Sequence, residues 1–176
     1  NYVPLKLSDI DPKYLNIKNK QVQVHSDILP HLTQMLDSAK SQGVEIQILS
    51  GFRSFSTQAS LKSEYKTTYG SGANKFSADQ GYSEHQLGTT LDFTTEKVGA
   101  VLAGFDKTEA YKWMSTNAHK YGFILSYPKN NAYYVYEPWH WRYVGVALAT
   151  KLYDQKLNFY DASQRDIDQY LANIFD

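Results

Sequence analysis

The clearest periodicity in the chain starts at Ser26. Ile28, Leu29, Leu32, Met35, Leu36 and Ala39 recur at three-and-four spacing with polar residues between them, and Gly43 follows. This predicts an amphipathic helix capped by Ser26 or Asp27. Val44, Ile46 and Ile48 then alternate with Glu45 and Gln47. That alternation predicts a half-buried strand, broken by Ser50-Gly51 just before Phe52-Arg53, so that Arg53 sits at a strand end. A second helix is expected from about Ser56 to Tyr69, followed by the loop GSGANKFSADQGYS, which is rich in Gly, Ser and Asn. In SEHQLGTTLDF, Ser83 to Phe93, Gly88 and the two threonines disfavour helix and favour a turn entering a strand. Thr90 and Asp92 then share one face, while Leu91 and Phe93 point to the core. Glu109 to Tyr121 reads as a third helix closed by Gly122, and FILSY (123–127) and YYVY (133–136) as paired strands around the turn PKNN. Two more helices are expected at Val144 to Leu157 and Gln164 to Phe175. Residues 1–25 look like an arm wrapped on the domain. The pattern is α+β, a small antiparallel sheet flanked by helices.

A chain of 176 residues is expected to form one domain, 1–176, with a continuous core. Its 18 basic and 18 acidic residues are interspersed, which leaves no electrostatic footprint for nucleic acid or anionic lipid. No apolar run approaches the roughly 20 residues of a membrane span, so no membrane contact is expected within this chain. The chain does not begin with Met, which fits an export signal or anchor removed ahead of it. There is no cysteine. Disulfides, thiolate nucleophiles and Cys-type zinc sites are therefore excluded, and any metal falls to His, Asp and Glu. The 15 tyrosines and three tryptophans supply rings that could stack on sugars or peptides, although packing explains most of them.

His85 lies seven residues before Asp92. Taken alone, the pair fits an aspartate bonding a loop backbone better than it fits a metal site. EPWHW, Glu137 to Trp141, changes that balance. Its Glu-Pro start disfavours helix, so Glu137 and His140 are not the helical H-E-x-x-H device. Trp139 and Trp141 are expected to restrict the His140 imidazole. His85, Asp92 and His140 together form a two-imidazole, one-carboxylate set that suits zinc and leaves a fourth position for water. Glu137 would then serve as the base that accepts a proton from that water. The competing reading for Glu137 is a structural salt bridge to Arg142 or another cation. His25, His31 and His119 lack partners at ligand spacing and read as structural or solvated. His119, near a helix C-terminus, could favour the dipole there.

Three motifs in order carry a resemblance: S-G-F-R-S with Gln58, S-x-H-x-x-G-x-x-x-D at Ser83 to Asp92, and E-P-W-H-W-R-Y-V-G at 137–145. From about Val22 to Leu157, including Y-G-F-x-L-x-Y-P at 121–128, the chain strongly resembles the zinc D-alanyl-D-alanine carboxypeptidases of the VanY type and the L,D-carboxypeptidases of the LdcB type. The resemblance implies the fold of the zinc peptidases shared with the Hedgehog amino-terminal signalling domain. It implies that His85, Asp92 and His140 bind zinc and that Glu137 is the catalytic base. It also implies that Arg53 binds a substrate carboxylate or stabilises the oxyanion, with Gln58, Ser83 and Tyr127 lining the peptide site. The expected substrates are peptidoglycan stem peptides, the expected location is the bacterial cell envelope or outside the cell, and a monomer is expected. Two alternatives stay open: a D,D-dipeptidase or peptidoglycan endopeptidase, and a non-catalytic zinc-containing binding module. Thr90 stands where the family usually has alanine, and Ser126 where many members have a basic residue. Both bear on the shape of the pocket.

Overall fold

The computed structural model describes residues 2–69, 78–129 and 131–171. Four strands make the central sheet: β3 (Gln47–Ser50), β4 (Thr90–Thr94), β5 (Phe123–Leu125) and β6 (His140–Tyr143). Their spatial order is β3-β4-β6-β5, and every pairing is antiparallel. A second, two-stranded sheet joins β1 (Leu7–Asp9) to β2 (Gln23–His25). Helices α1 (Leu29–Ser41), α2 (Phe55–Tyr69), α3 (Glu109–Asn117), α4 (Val146–Gln155) and α5 (Gln164–Leu171) complete the α+β architecture.

Side-chain alternation divides the central sheet into two chemically different faces. Leu91, Phe93, Trp141 and Tyr143 are buried in one core with Leu32, Met35, Leu36 and Ala39 of α1 and Trp113 and Met114 of α3. On the opposite face, Asp92 stands directly across from Ser50 on one side and His140 on the other. The pleat that buries the apolar row therefore aligns the polar one.

Several local expectations shift. Residues 26–28 form a 3-10 turn ahead of α1, and the capping acceptor is the His25 side chain, which receives the Asp27 N–H at 3.4 Å. Ser26 Oγ is occupied by the Ser8 hydroxyl instead. The strand expected from Val44 begins at Gln47, because the Val44 N–H closes the C-terminus of α1 on the Ala39 carbonyl. It also continues through Ser50, which pairs with Asp92. The third helix is α-helical only to Asn117 and finishes as a 3-10 turn, Ala118–Tyr121. The part of the last expected helix beyond residue 171, and most of the Gly- and Ser-rich loop, lie outside the described residues.

The expected strand at 133–136 is absent. Asn131 Oδ1 accepts the N–H groups of both Tyr133 and Tyr134, a side-chain turn that diverts the backbone from any ladder. β5 pairs with β6 instead. The stretch from 131 to 139 becomes the loop that delivers Glu137.

The N-terminal residues pack on this frame. The Phe52 N–H donates to the Gln23 carbonyl at 2.7 Å, the His25 N–H to the Gly88 carbonyl at 2.9 Å, and Ile10, Leu15, Val22 and Val24 are buried. No helix among the described residues is long and apolar enough to cross a membrane.

Candidate metal and peptide site

His85 lies in a 3-10 turn, Glu84–Leu87, that ends on Gly88 at φ +71°. The left-handed conformation favours glycine, and a Cβ there would also come within 3.3 Å of the His25 nitrogen. Gly88 thus turns the chain from the histidine into β4, which carries Asp92 beside His140 of β6. Candidate ligand atoms of His85, Asp92 and His140 all lie within 4.8 Å of one another, and all three side chains are buried.

The hydrogen bonds fix which atoms face the centre. His85 Nδ1 lies 2.8 Å from the Gly51 carbonyl oxygen, which can only accept, so Nδ1 carries the proton and Nε2 presents its lone pair. Burial, reinforced by the nearby Arg53 charge, pushes the His85 pKa down to about 4 and keeps the ring neutral. His140 Nε2 lies 2.8 Å from the acceptor Glu84 Oε2, which turns Nδ1 toward Asp92 Oδ1 at 3.3 Å. Burial alone would lower the His140 pKa, but the adjacent Asp92 and Glu84 carboxylates raise it to about 9.

Asp92 is also buried, yet His85, His140 and Arg53 hold its carboxyl well below the usual carboxylate range. Its Oδ2 accepts from Ser50 Oγ and from Arg53 Nη2, the latter at 3.3 Å. Asp92 Oδ1 and His85 Nε2 are buried without a hydrogen-bond partner. Two orphaned acceptors beside a third nitrogen are costly unless a cation satisfies them. The donor set fits zinc.

A cleft of about 610 Å³ opens over this centre and is lined by Arg53, Gln58, Ser83, Tyr127 and Glu137 among others. All the site residues singled out in the sequence therefore meet in one place. The Glu137 carboxylate is 3.5 Å from His140 Nδ1. Burial pushes its pKa up to about 7; His140 and Arg53 oppose the rise, and Asp92 and Glu84 add to it. Gln58 Oε1 accepts from Arg53 Nη1 at 3.3 Å while its amide donates to the Ala78 carbonyl, so Gln58 supports the guanidinium as well as lining the cleft. Tyr127 stacks on His140 with ring centroids 4.5 Å apart.

Some expectations need correction. Trp141 faces the opposite side of the sheet, where its indole N–H bonds the Pro138 carbonyl, so it does not confine His140. Glu84, Tyr127 and the edge of His85, 4.9 Å away, do so. Arg142 pairs with Glu84 at 2.8 Å, so it is not the partner of Glu137, which lies beside His140 instead. His31 is half-buried against Tyr143, with centroids 5.1 Å apart. His119 stacks on Tyr153 at 3.7 Å, and burial lowers its pKa, so it acts as a neutral packing ring rather than a dipole-stabilising cation. Sequence reasoning passed over Ser50 and Glu84, and Lys20, which also lines the cleft. Glu84 adjoins a ligand within the motif, and that adjacency was the one available signal.

The model of the VanY family, described as D-alanyl-D-alanine carboxypeptidase, matches residues 21–146. The Bacillus subtilis (strain 168) protein YodJ is 37% identical over 169 residues, covering 89% of this chain and 60% of that protein. The chain thus spans less than two thirds of that relative's length. Among solved structures, the LdcB LD-carboxypeptidase superposes with a TM-score of 0.82 at 32% identity, covering 93% of this chain and 81% of the other. A mutant of the vancomycin resistance D,D-pentapeptidase VanY, in complex with Zn(II), gives 0.74 at 27% identity, covering 97% and 94%. The chain belongs to the VanY family of D-alanyl-D-alanine carboxypeptidases, with the fold of the LdcB and VanY peptidases.

Proposed function

We propose that this protein is a zinc carboxypeptidase that removes the terminal D-alanine from peptidoglycan stem peptides in the cell wall. One observation carries the reading. The orphaned acceptors of His85 and Asp92 converge with His140 in a buried cluster whose cleft also holds Glu137 and Arg53. His85, Asp92 and His140 would hold the zinc ion, which would supply Lewis acidity to polarise the scissile carbonyl and acidify a water molecule.

The chain's own groups do the rest. Glu137, next to the ligand set, takes the proton of the attacking water and delivers it to the leaving amine. Its carboxyl is held near 7 by burial, and a cation on the triad pulls it lower and keeps it available as a base. Arg53, steadied by Gln58, presents its guanidinium to the free carboxylate of the peptide, the group that distinguishes a C-terminal residue. Ser83 and Tyr127 line the peptide path. All of these groups come from one chain, so a monomer suffices, and we read 1–176 as one domain with 1–25 as an arm packed on it.

The closer superposition on LdcB than on VanY favours an L,D-cleavage of the tetrapeptide; the two Enterococcus relatives named D-alanyl-D-alanine carboxypeptidase, 34% and 36% identical, favour a D,D-cleavage of the pentapeptide as the second reading. A purely structural zinc site needs neither Glu137 nor Arg53. Mass spectrometry of products from tetrapeptide and pentapeptide stems, with a chelator control, tests the reading. Loss of one alanine from the tetrapeptide is the expected result, and loss from the pentapeptide alone reverses the preference. Cleavage of a stem with an amidated C-terminus would transfer the assignment to an endopeptidase, because Arg53 would then have no carboxylate to bind.

A further inference from the structure

Glu84 is a carboxylate only 5% exposed, and donors from three residues are aimed at it. Its Oε2 accepts from His140 Nε2 at 2.8 Å, and its Oε1 accepts from Arg142 Nη1 at 2.8 Å and from the Tyr160 hydroxyl at 2.7 Å. His140 and Arg142 of β6, together with Tyr160, hold its pKa down against the burial that would raise it. A buried carboxylate is costly unless it is paired and hydrogen-bonded in this way.

Tyr160 comes from elsewhere in the chain. It sits in the 3-10 turn Phe159–Asp161, after α4 and outside the residues matched by the family model. This turn reaches the centre by two routes. The first is the hydroxyl bond to Glu84. The second is through rings: Tyr160 lies 6.2 Å from Tyr127, which stacks on His140 at 4.5 Å. Phe159 also lies under the Arg142 guanidinium, 4.7 Å from its ring centroid.

We infer that Glu84 and Tyr160 are positioning residues of the metal centre, so that the C-terminal turn at 159–161 completes the site that β4, β6 and the Glu84–Leu87 turn begin. Glu84, bonded at His140 Nε2, fixes the tautomer with the Nδ1 lone pair free for a ligand bond. Tyr160 holds the Glu84 carboxylate in the plane that this requires. Outer partners of metal-bound histidines act in this way, and their loss typically weakens metal binding by about 10- to 100-fold.

The inference rests on the reading of His85, Asp92 and His140 as zinc ligands, and the test separates the two. The full chain, Glu84→Gln and Tyr160→Phe are titrated with zinc in competition with a chromogenic chelator. Visible spectra of the Co(II)-loaded proteins and melting curves of the metal-free proteins are recorded alongside. The expected result is a loss of zinc affinity of about 10- to 100-fold in Glu84→Gln and a smaller loss in the same direction in Tyr160→Phe. The cobalt spectrum is expected to change in Glu84→Gln. Lowered melting temperatures with wild-type zinc affinity and an unchanged cobalt spectrum would reduce both residues to architecture and overturn the inference. Should Glu84→Gln fail to fold, Tyr160→Phe decides alone, and wild-type affinity in that variant overturns the role of the turn. A wild-type chain that binds no zinc overturns the ligand reading and this inference with it.

Discussion

At Glu137, burial and charge set a carboxyl near 7 beside a cluster that draws cations. Replacement with glutamine keeps the volume and removes the base, while no ligand is disturbed. Glu137→Gln should therefore lower kcat by about 10²- to 10⁴-fold while the protein still takes up one zinc. Steady-state turnover, read together with metal content, checks both halves. Full activity in that variant would remove Glu137 from the proton path. Thr90 makes the opposite kind of case. Its hydroxyl is completely buried and has no hydrogen-bond partner, so the folded protein bears a desolvation cost with no return. Thr90→Val keeps the shape and the β-branch, and it should stabilise the fold by about 1 kcal/mol, the lower end of the penalty for an unsatisfied buried group. Urea denaturation would register this as a higher midpoint with an unchanged slope.

Among the elements, the junction between β3 and α2 is tightly constrained. A Cβ built on Gly51 would fall 2.4 Å from the Gln23 carbonyl oxygen, a backbone atom of β2 that cannot move without opening the small sheet. The Gly51 carbonyl is also the acceptor that fixes the His85 tautomer. Gly51→Ala should therefore destabilise the protein by about 1–3 kcal/mol, the usual cost of overpacking, and weaken zinc binding as well. Thermal melts and a zinc titration of the same sample would separate the two effects. This junction also marks the limit of what the sequence makes legible. The alternation at Val44–Ile48 announced a strand, and the apolar period announced α1, because both patterns are local. The reach of β3 to Ser50, and the bond from Ser50 to Asp92, depend on register with β4, which no single segment encodes. The same holds for YYVY, whose composition suits a strand but whose backbone is captured by Asn131. The ligand set was legible because its residues sit in dense local motifs. Glu84 and Tyr160 act across 76 positions of sequence separation, and that proximity exists only in the fold.

Over the whole molecule, two histidines far from the ligand set bear on acid stability. Burial lowers the pKa of both His31 and His119 below the ordinary value of 6.5. At and below that value the unfolded chain binds more protons than the folded one, so stability falls as the pH drops from about 6.5 toward the folded-state values. His119→Gln should flatten that slope between about pH 7 and 5 in the chelated protein, where metal-linked protons do not contribute; an unchanged slope in urea titrations would assign it elsewhere. Metal works in the other direction. The native state offers the buried set of His85, Asp92 and His140, whereas the unfolded chain offers the same groups scattered, so zinc should stabilise by mass action. At free zinc about 100 times Kd the gain is about 2.7 kcal/mol, which for a chain of this size corresponds to a rise in Tm of about 5–10 °C. Calorimetry with and without chelator measures it. Asp92→Asn should lose most of the shift, because the amide carries no charge to offer the ion, and a shift of full size in that variant would place the stabilising zinc somewhere other than this centre.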